Sequence, residues 1–306
     1  MVIRPQDLVE VVAEASGDGS QPVLVHAMHG FIDAGSGGRI AAEHLLSTLD
    51  NTMVARFDID LLMDYRSRRP AMVFEDQAFT AYEEPLLAVH RVLDAVGVPF
   101  LLLSGPEPDL MWLRFVDAVD HLLDVFGVRL TVGLTAIPWA TPHTRSLGVI
   151  AHSADPALVQ GYEAFGAAVR VPGHVDVLLE QRLGERGRAT MGFAGQVPHY
   201  LSQVEYPDAA ASLLHSLAGA TGLQLPSEPL VEAGVEVRRV IDAQIAESEE
   251  TLSVVHVLEE QYDAQMRARA SGADASDSDL STTTGDDLAA QFERFLAERD
   301  RGSGAN

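Results

Sequence analysis

The stretch from Pro22 to Leu46 is the feature that most constrains how this chain can fold. It is an apolar run that breaks into glycines and then restarts with apolar residues at helical spacing: Pro-Val-Leu-Val-His-Ala-Met-His-Gly-Phe-Ile-Asp-Ala-Gly-Ser-Gly-Gly-Arg-Ile-Ala-Ala-Glu-His-Leu-Leu. This order predicts a strand, a tight turn and the start of a helix. Such a junction presents free backbone N–H groups at the carboxyl end of a strand, where α/β sheets most often bind ligands. We therefore predict ligand-binding residues here at His29, Gly30, Asp33 and Ser36.

Composition limits the classes of function. The chain has 306 residues, 45 acidic and 21 basic, and every basic residue is an arginine, for a net charge of −24. So negative a chain is not expected to bind nucleic acid or anionic membranes. The absence of lysine and cysteine excludes a Schiff-base lysine, a phosphate-loop lysine, thiolate nucleophiles and disulfides. With no apolar run near ~20 residues and no basic-then-apolar leader, we expect a soluble cytoplasmic protein.

The strand, loop and helix pattern recurs further along the chain. Apolar strands are predicted at 98–103, 128–137 and 189–193, and a loop rich in polar residues follows each of them. This alternation predicts an α/β fold, a three-layer α/β/α sandwich around a twisted, mostly parallel or mixed sheet. The carboxyl ends of parallel strands share one edge of a sheet, so the loops should meet there. We add to the predicted ligand-binding residues those in these loops: Ser104, Gly105, His143, Arg145 and His199.

Some of these residues have an alternative structural role. Either Ser36 or Asp33 is expected to cap the helix that follows the first turn. Arg145 either grips an oxyanion or ties down its own loop. The basic run at 65–70, in an otherwise acidic chain, is either a solvated loop or one that faces an anion or another subunit.

Known catalytic and cofactor signatures are absent from the sequence. The eleven histidines include no His-Glu-x-x-His and no His-x-His pair, and a transition metal needs three or four converging ligands. The run from Ala34 to Gly38 departs from Gly-x-Ser-x-Gly, and the glycines lack the Gly-x-Gly-x-x-Gly order. We predict no metal and no cofactor, and we assign no catalytic residue.

The end of the chain is predicted to be helical. A continuous helix over 229–270 would be roughly 60 Å long, so it either bends near Ser248 or projects to meet a partner. Residues 271–287 have the composition of a disordered linker, and 288–296 form a short one-sided apolar helix that docks back or binds a partner. The predicted organisation is a sandwich domain (1–225), a helical extension (226–270) and an acidic linker with a terminal helix (271–306).

Three motifs together resemble the second proteasome-assembly-chaperone (PAC2) family, and more closely its actinobacterial branch of uncharacterised proteins. They are Gly-Phe-Ile-Asp-Ala-Gly at 30–35, the Ser-Gly turn at Ser104, and Gly-Gln-Val-Pro-His-Tyr-Leu at 195–201. The resemblance covers about residues 20–265. It implies a fold similar to purine nucleoside phosphorylases, a helical C-terminal portion and self-association as a trimer. It also implies action through protein contacts during proteasome assembly, and it does not imply phosphorylase activity.

The chain departs from archaeal relatives of that family at its end. Those relatives finish in a hydrophobic-Tyr-x tail, whereas this sequence finishes Ser-Gly-Ala-Asn at 303–306. The sequence as a whole leaves two hypotheses about function. The first is a non-enzymatic assembly or binding protein that uses its helical end for contacts, and the second is a small-molecule enzyme of nucleoside phosphorylase or hydrolase type that uses the strand-end loops.

Overall fold

A mixed sheet of eight strands forms the centre of the protein in the computed structural model, which describes residues 4–13, 21–166 and 168–270. The strands are β1 (Val9–Val11), β2 (Val23–His29), β3 (Asn51–Phe57), β4 (Met72–Glu75), β5 (Ala78–Tyr82), β6 (Ala88–Leu93), β7 (Pro99–Pro106), β8 (Leu130–Trp139), β9 (Val149–His152) and β10 (Thr190–Pro198). The large sheet has the order β1-β3-β6-β7-β2-β8-β10-β9, and β4 pairs only with β5 in a separate hairpin.

Helices cover both faces of the large sheet. They are α1 (Gly37–Thr48), α2 (Ile59–Leu62), α3 (Trp112–Phe126), α4 (Val175–Glu185), α5 (Pro207–Thr221), α6 (Glu228–Ile245) and α7 (Glu249–Ala270). One apolar cluster joins α3 and α4 to one face, and a second joins α1 and α5 to the other. The predicted three-layer α/β/α arrangement is therefore confirmed.

The middle of the sheet is parallel and its flanks are antiparallel. Strands β7, β2, β8 and β10 run parallel, while β6, β3 and β1 on one side and β9 on the other pair antiparallel. The central strands are apolar on both faces, as expected for strands covered by helices on each side. For example, Phe100 and Leu102 pack toward α1, whereas Leu101 and Leu103 pack toward α3.

Helix α3 shows how local sequence dictates one of these layers. Its apolar residues recur at spacings of three and four and are buried, among them Phe115, Val119 and Leu122. The helix ends at Gly127, whose φ of +65° is the left-handed conformation that glycine adopts without strain. No helix within the described ranges is long and apolar enough to cross a membrane.

Several details differ from the sequence-based expectation. Residues 72–82 form the β4–β5 hairpin, which the sequence analysis did not predict. The apolar stretch at 167–171 predicts a strand from sequence, but its described residues, 168–171, are not in one. The turn predicted at Ser104 and Gly105 is wrong, because β7 continues through both residues to Pro106.

The C-terminal helical segment bends near Ser248, which is one of the two alternatives predicted from the sequence. The chain turns at residues 246–248, so that α6 and α7 are separate helices, and α6 packs against α5. The division of the chain at residue 225 stays a prediction. The predicted linker and terminal helix at 271–306 lie outside the described residues.

Candidate functional site

The carboxyl ends of the four parallel strands lie at one edge of the sheet. In the register of the strands, His29 at the end of β2 is opposite Pro106 at the end of β7, and Trp139 of β8 is opposite Pro198 of β10. The loops that hold most of the predicted ligand-binding residues therefore start from the same edge. This common edge was the central expectation drawn from the sequence.

At the first turn, Asp33 has a defined structural role. Its carboxylate accepts hydrogen bonds from the backbone N–H of Gly38 (2.7 Å) and Arg39 (2.9 Å), at the start of α1. Ser36 is the residue before α1 and has a φ of +54°, but its hydroxyl makes no capping bond. Of the two expected capping residues, Asp33 is therefore the one that caps α1.

The same carboxyl group has an unusual pKa. Burial raises the pKa of Asp33 from 3.8 to about 6, and the bonds from Arg39 and Gly38 lower it too little to offset this. The folded state thus binds more protons than the unfolded state between these two pKa values. The free energy of unfolding should fall as the pH rises through that window, by at most about 3 kcal/mol.

We therefore expect Asp33→Asn to be more stable than the wild type at neutral pH and equally stable near pH 4. The asparagine amide has no charge to desolvate and keeps one oxygen acceptor for the helix. Urea unfolding of both chains across about pH 4 to pH 7 measures the difference. Ser36→Ala, which changes the same turn without a titrating group, should leave the pH dependence unaltered; a parallel pH profile for Asp33→Asn would contradict the assignment.

Glu107 joins this turn to the opposite face of the sheet. It is buried, and its two carboxylate oxygens accept from the backbone N–H of Phe31 (2.8 Å) and of Val175 at the start of α4 (2.8 Å). Gly30 has no side chain because Glu107 occupies the space, since a Cβ there would lie 2.1 Å from its Oε2. Gly30 thus serves packing in this structure, and His29 beside it is exposed.

Ser104 and Gly105 lie within the sheet. Ser104 is opposite Ala27 of β2 and Ala88 of β6. Gly105 has a φ of +136°, and a Cβ there would lie 2.2 Å from the carbonyl oxygen of Leu86. The role of Gly105 in the structure is the close approach of two strands.

His143 and Arg145 are brought together after β8, but the C-terminal helices use both. His143 is buried, with Nδ1 2.7 Å from the hydroxyl of Tyr200 and Nε2 2.9 Å from Oδ1 of Asp242 in α6. Arg145 donates to both carboxylate oxygens of Asp263 in α7, each at 2.8 Å. Of the two alternatives for Arg145, these contacts match the one in which the arginine holds its loop in place.

His199 lies close to this pair. It begins a short 3-10 turn after β10, and its ring contacts Tyr200 edge-on at a centroid distance of 5.3 Å. The structure thus separates the predicted residues into two groups. His29, Gly30, Asp33 and Ser36 surround the β2–α1 turn. His143 and Arg145 contact α6 and α7, whereas His199 is exposed beside Tyr200.

A row of histidines and glycines, which sequence reasoning missed, crosses the sheet below α4. His26 of β2 is opposite Gly133 of β8, which is opposite Gly192 of β10, which in turn is opposite His152 of β9. The two imidazole rings lie over the two glycines, because a Cβ at either glycine would collide with the adjacent ring. Glycine in neighbouring central strands was the signal that could have indicated this close approach.

Two carboxylates of α4, one turn apart, bind these rings. Nδ1 of His26 lies 2.6 Å from Oδ1 of Asp176, with both side chains buried, and Nδ1 of His152 lies 2.9 Å from Oε2 of Glu180. Nε2 of His26 is buried and has no hydrogen-bond partner in the described structure. The first pair has the form of a carboxylate-oriented imidazole, whose remaining nitrogen can exchange a proton.

His174, just before α4, belongs to the same buried network. Burial lowers its pKa, although the nearby carboxylates of Asp176 and Glu107 act in the opposite direction. The neutral imidazole is therefore favoured. Over the ranges that the structure describes, no group of three or more histidine, aspartate or glutamate residues is arranged to hold a metal ion.

Comparison with known proteins gives a consistent set of relatives. The model of the PAC2 family matches residues 27–245. A protein of unknown function from Mycobacterium tuberculosis is 46% identical, with a TM-score of 0.81, over 86% of this chain and 91% of that chain. One of unknown function from Corynebacterium glutamicum is 37% identical, with a TM-score of 0.80, over 85% and 98%. The proteasome-assembly chaperone homologue of M. tuberculosis is 24% identical, with a TM-score of 0.70, over 76% and 99%. A search of curated proteins found no match.

Proposed function

Because the chain belongs to the PAC2 family, we propose that it is a non-enzymatic assembly or binding protein that acts through protein contacts, as a proteasome-assembly chaperone does. We propose further that it self-associates as a trimer and works in the cytoplasm. Its net charge of −24 argues against nucleic acid and anionic membranes as partners. Within the described part of the chain, the exposed β4–β5 hairpin is the main support for this proposal.

Every residue of the hairpin strands is exposed, although many are apolar. Phe74 is 61% exposed and Phe79 is 67% exposed, and their rings contact each other at a centroid distance of 5.1 Å. Met72, Val73 and Tyr82 are also exposed. A two-stranded hairpin without further packing is marginally stable in water, and exposed apolar patches of this kind mark interaction surfaces.

The segment at the base of the hairpin is rich in arginine, whereas the chain as a whole is acidic. Arg68 pairs with Asp109 at 2.8 Å and also donates to the carbonyl oxygen of Glu107. Arg66 and Arg69 are exposed and form no ion pair within the described part of the chain. Apolar side chains beside unpaired arginines complement an acidic surface, which a second copy of this chain supplies.

Removal of the two hairpin rings should disrupt self-association. We expect Phe74→Ser with Phe79→Ser to weaken the trimer by at least about 2 kcal/mol for each ring, since aromatic anchors dominate interfaces. Sedimentation velocity over a concentration series measures the change. Val96→Ser, which removes an exposed apolar side chain from the distant β6–β7 turn, is the matched control. A monomeric wild type, or a double variant that stays assembled, would refute the role of the hairpin.

The His26–Asp176 pair favours a second candidate function, an enzyme of nucleoside phosphorylase or hydrolase type. An imidazole held by a carboxylate is suited to general base catalysis. Against this, His26 is only 1% exposed, and the side chains of His143 and Arg145 are engaged within the chain. Under α3, the apolar side chains of Leu24, Val119 and Leu122 leave no space large enough for a water molecule.

A ligand screen distinguishes the two functions. Purine nucleosides with and without inorganic phosphate should leave the melting temperature of a binding protein unchanged. An enzyme should be stabilised by its ligand and should turn it over, and His26→Gln should abolish that turnover. A rise in melting temperature without turnover would still favour a small-molecule site over a purely protein-binding surface.

A further inference from the structure

Helix α7 rests on the strand-end edge through a short apolar segment. Val255 and Leu258 are its buried residues, and Leu252 packs beside Val255 on the cluster formed by the ends of β8 and β10 and by α6. From Glu259 to Arg269 no described side chain is buried. The apolar contact of this helix is therefore confined to its first half.

The second half of α7 is held by polar contacts with the loop after β8. Glu259 accepts from the hydroxyl of Thr144 (2.6 Å) and lies 3.3 Å from Arg145. Asp263 accepts two hydrogen bonds from Arg145 at 2.8 Å each, and the hydroxyl of Tyr262 donates to the carbonyl oxygen of Ser146 (3.1 Å). A fork of two parallel N–H bonds is the geometry with which arginine recognises an external carboxylate.

These contacts are the kind that a competing ligand can replace. The side chains of Arg145 and Asp263 are 32% and 46% exposed, and ion pairs with that exposure stabilise a fold only weakly. The turn at residues 246–248 joins α7 to α6 without a strand or a further helix. Removal of α7 would expose an arginine, a threonine hydroxyl and an apolar groove side by side.

We propose that this groove is a docking site for an acidic amphipathic helix of a partner protein, and that α7 is its intramolecular occupant. The partner helix would carry two carboxylates four residues apart, in the positions of Glu259 and Asp263. It would also carry apolar residues in the positions of Val255 and Leu258. The inference rests on the proposed binding function and names the partner chemistry for this edge, whereas the hairpin contact concerns a different surface.

The experiment uses the full chain with Glu259→Gln and Asp263→Asn, which should release α7. The charge-matched control is Glu249→Gln with Glu260→Gln, because both residues are exposed on α7 and form no ion pair within the described ranges. Hydrogen exchange should show α7 amides exchanging about tenfold faster in the released variant than in the control. Unchanged protection of α7 would overturn the proposal.

The binding probe is a fluorescein-labelled peptide with the sequence of residues 249–270. Fluorescence anisotropy should show it binding the released variant at least about tenfold more tightly than the wild type or the control. Arg145→Ala added to the released variant, or a peptide with Gln and Asn in place of the two carboxylates, should remove that gain. Faster exchange of α7 without tighter binding, or binding that persists after Arg145→Ala, would overturn the proposal.

The hairpin contact and the docking groove are tested by independent experiments. Sedimentation reports on the hairpin and does not require α7 to move, whereas peptide binding reports on the groove and does not require a trimer. A chain that stays monomeric and still binds the peptide refutes the hairpin contact alone. A trimer that the hairpin variant dissociates, but that never binds the peptide, refutes the groove alone.

Discussion

Replacement of Asp176 by alanine is expected to lower the free energy of unfolding by about 3–5 kcal/mol. Asp176 and His26 are both buried, with 2.6 Å between Oδ1 and Nδ1. Nε2 of His26 already lacks a partner in the described structure, so the substitution would leave both ring nitrogens unpaired away from water. Urea unfolding followed by circular dichroism, at one fixed protein concentration, measures the loss.

Two further variants identify the source of that loss. Glu236→Ala removes a carboxylate from an exposed pair with Arg239 in α6, and it should cost less than about 1 kcal/mol. His26→Leu with Asp176→Leu removes both buried polar groups, so it should be less destabilised than Asp176→Ala alone. If the double variant is less stable than Asp176→Ala, then the packing of the side chains, and not the pairing of His26 with Asp176, decides the stability at this position.

Gly105→Ala is expected to have a comparable effect, with a loss of about 4 kcal/mol. The added Cβ would lie 2.2 Å from the carbonyl oxygen of Leu86 and 2.7 Å from the Cα of Leu87. These are backbone atoms of the neighbouring segment and cannot rotate away, so the strands would have to separate. The φ of +136° at this position adds strain for any residue with a side chain.

Gly97→Ala is the control that separates strain from collision. Gly97 also has a positive φ, +89°, but nothing lies within 4 Å of the Cβ position. Gly97→Ala should therefore lower the free energy of unfolding by only about 1–2 kcal/mol, because alanine is strained in a left-handed conformation. If both substitutions cost the same in thermal and urea unfolding, the close approach of Leu86 would not be the reason that residue 105 is glycine.

The arrangement of polar groups favours a binding protein over an enzyme. Side chains with the chemistry for catalysis are present, but the structure divides them between the face under α4 and the edge under α7. At that edge, Asp242 and Asp263 engage His143 and Arg145. The largest exposed apolar side chains of the hairpin, Phe74 and Phe79, contact each other and remain exposed. Both observations support the proposal that the protein acts through protein contacts.

Much of the fold could be predicted from short stretches of sequence. The junction at Pro22–Leu46 forms the predicted strand, turn and helix, because burial on both sides produces an apolar run and an amphipathic helix repeats every three to four residues. The helical segment at 229–270 was also predicted, with a bend near Ser248 as one of two alternatives, and α6 and α7 are separate helices. The order of strands was not accessible, because periodicity does not distinguish a parallel from an antiparallel neighbour, and β6 is antiparallel.

The hairpin escaped prediction for a related reason. Its strands, Met72–Glu75 and Ala78–Tyr82, are short and exposed on both faces. They therefore lack the alternation that burial of one face imposes on a strand. A segment that buries neither face against its own chain has no periodic pattern from which a strand can be predicted.

The local pattern of residues thus determined the class of fold, the family resemblance and the edge at which the polar loops begin. Only the tertiary structure decided which groups those loops meet: His26 with Asp176, 150 positions away, and Arg145 with Asp263, 118 positions away. The reason is that the spacing of apolar residues along a strand or helix indicates only which side of that element is buried. The partner of a buried polar group depends on how distant elements pack, and this leaves no trace in the neighbouring residues.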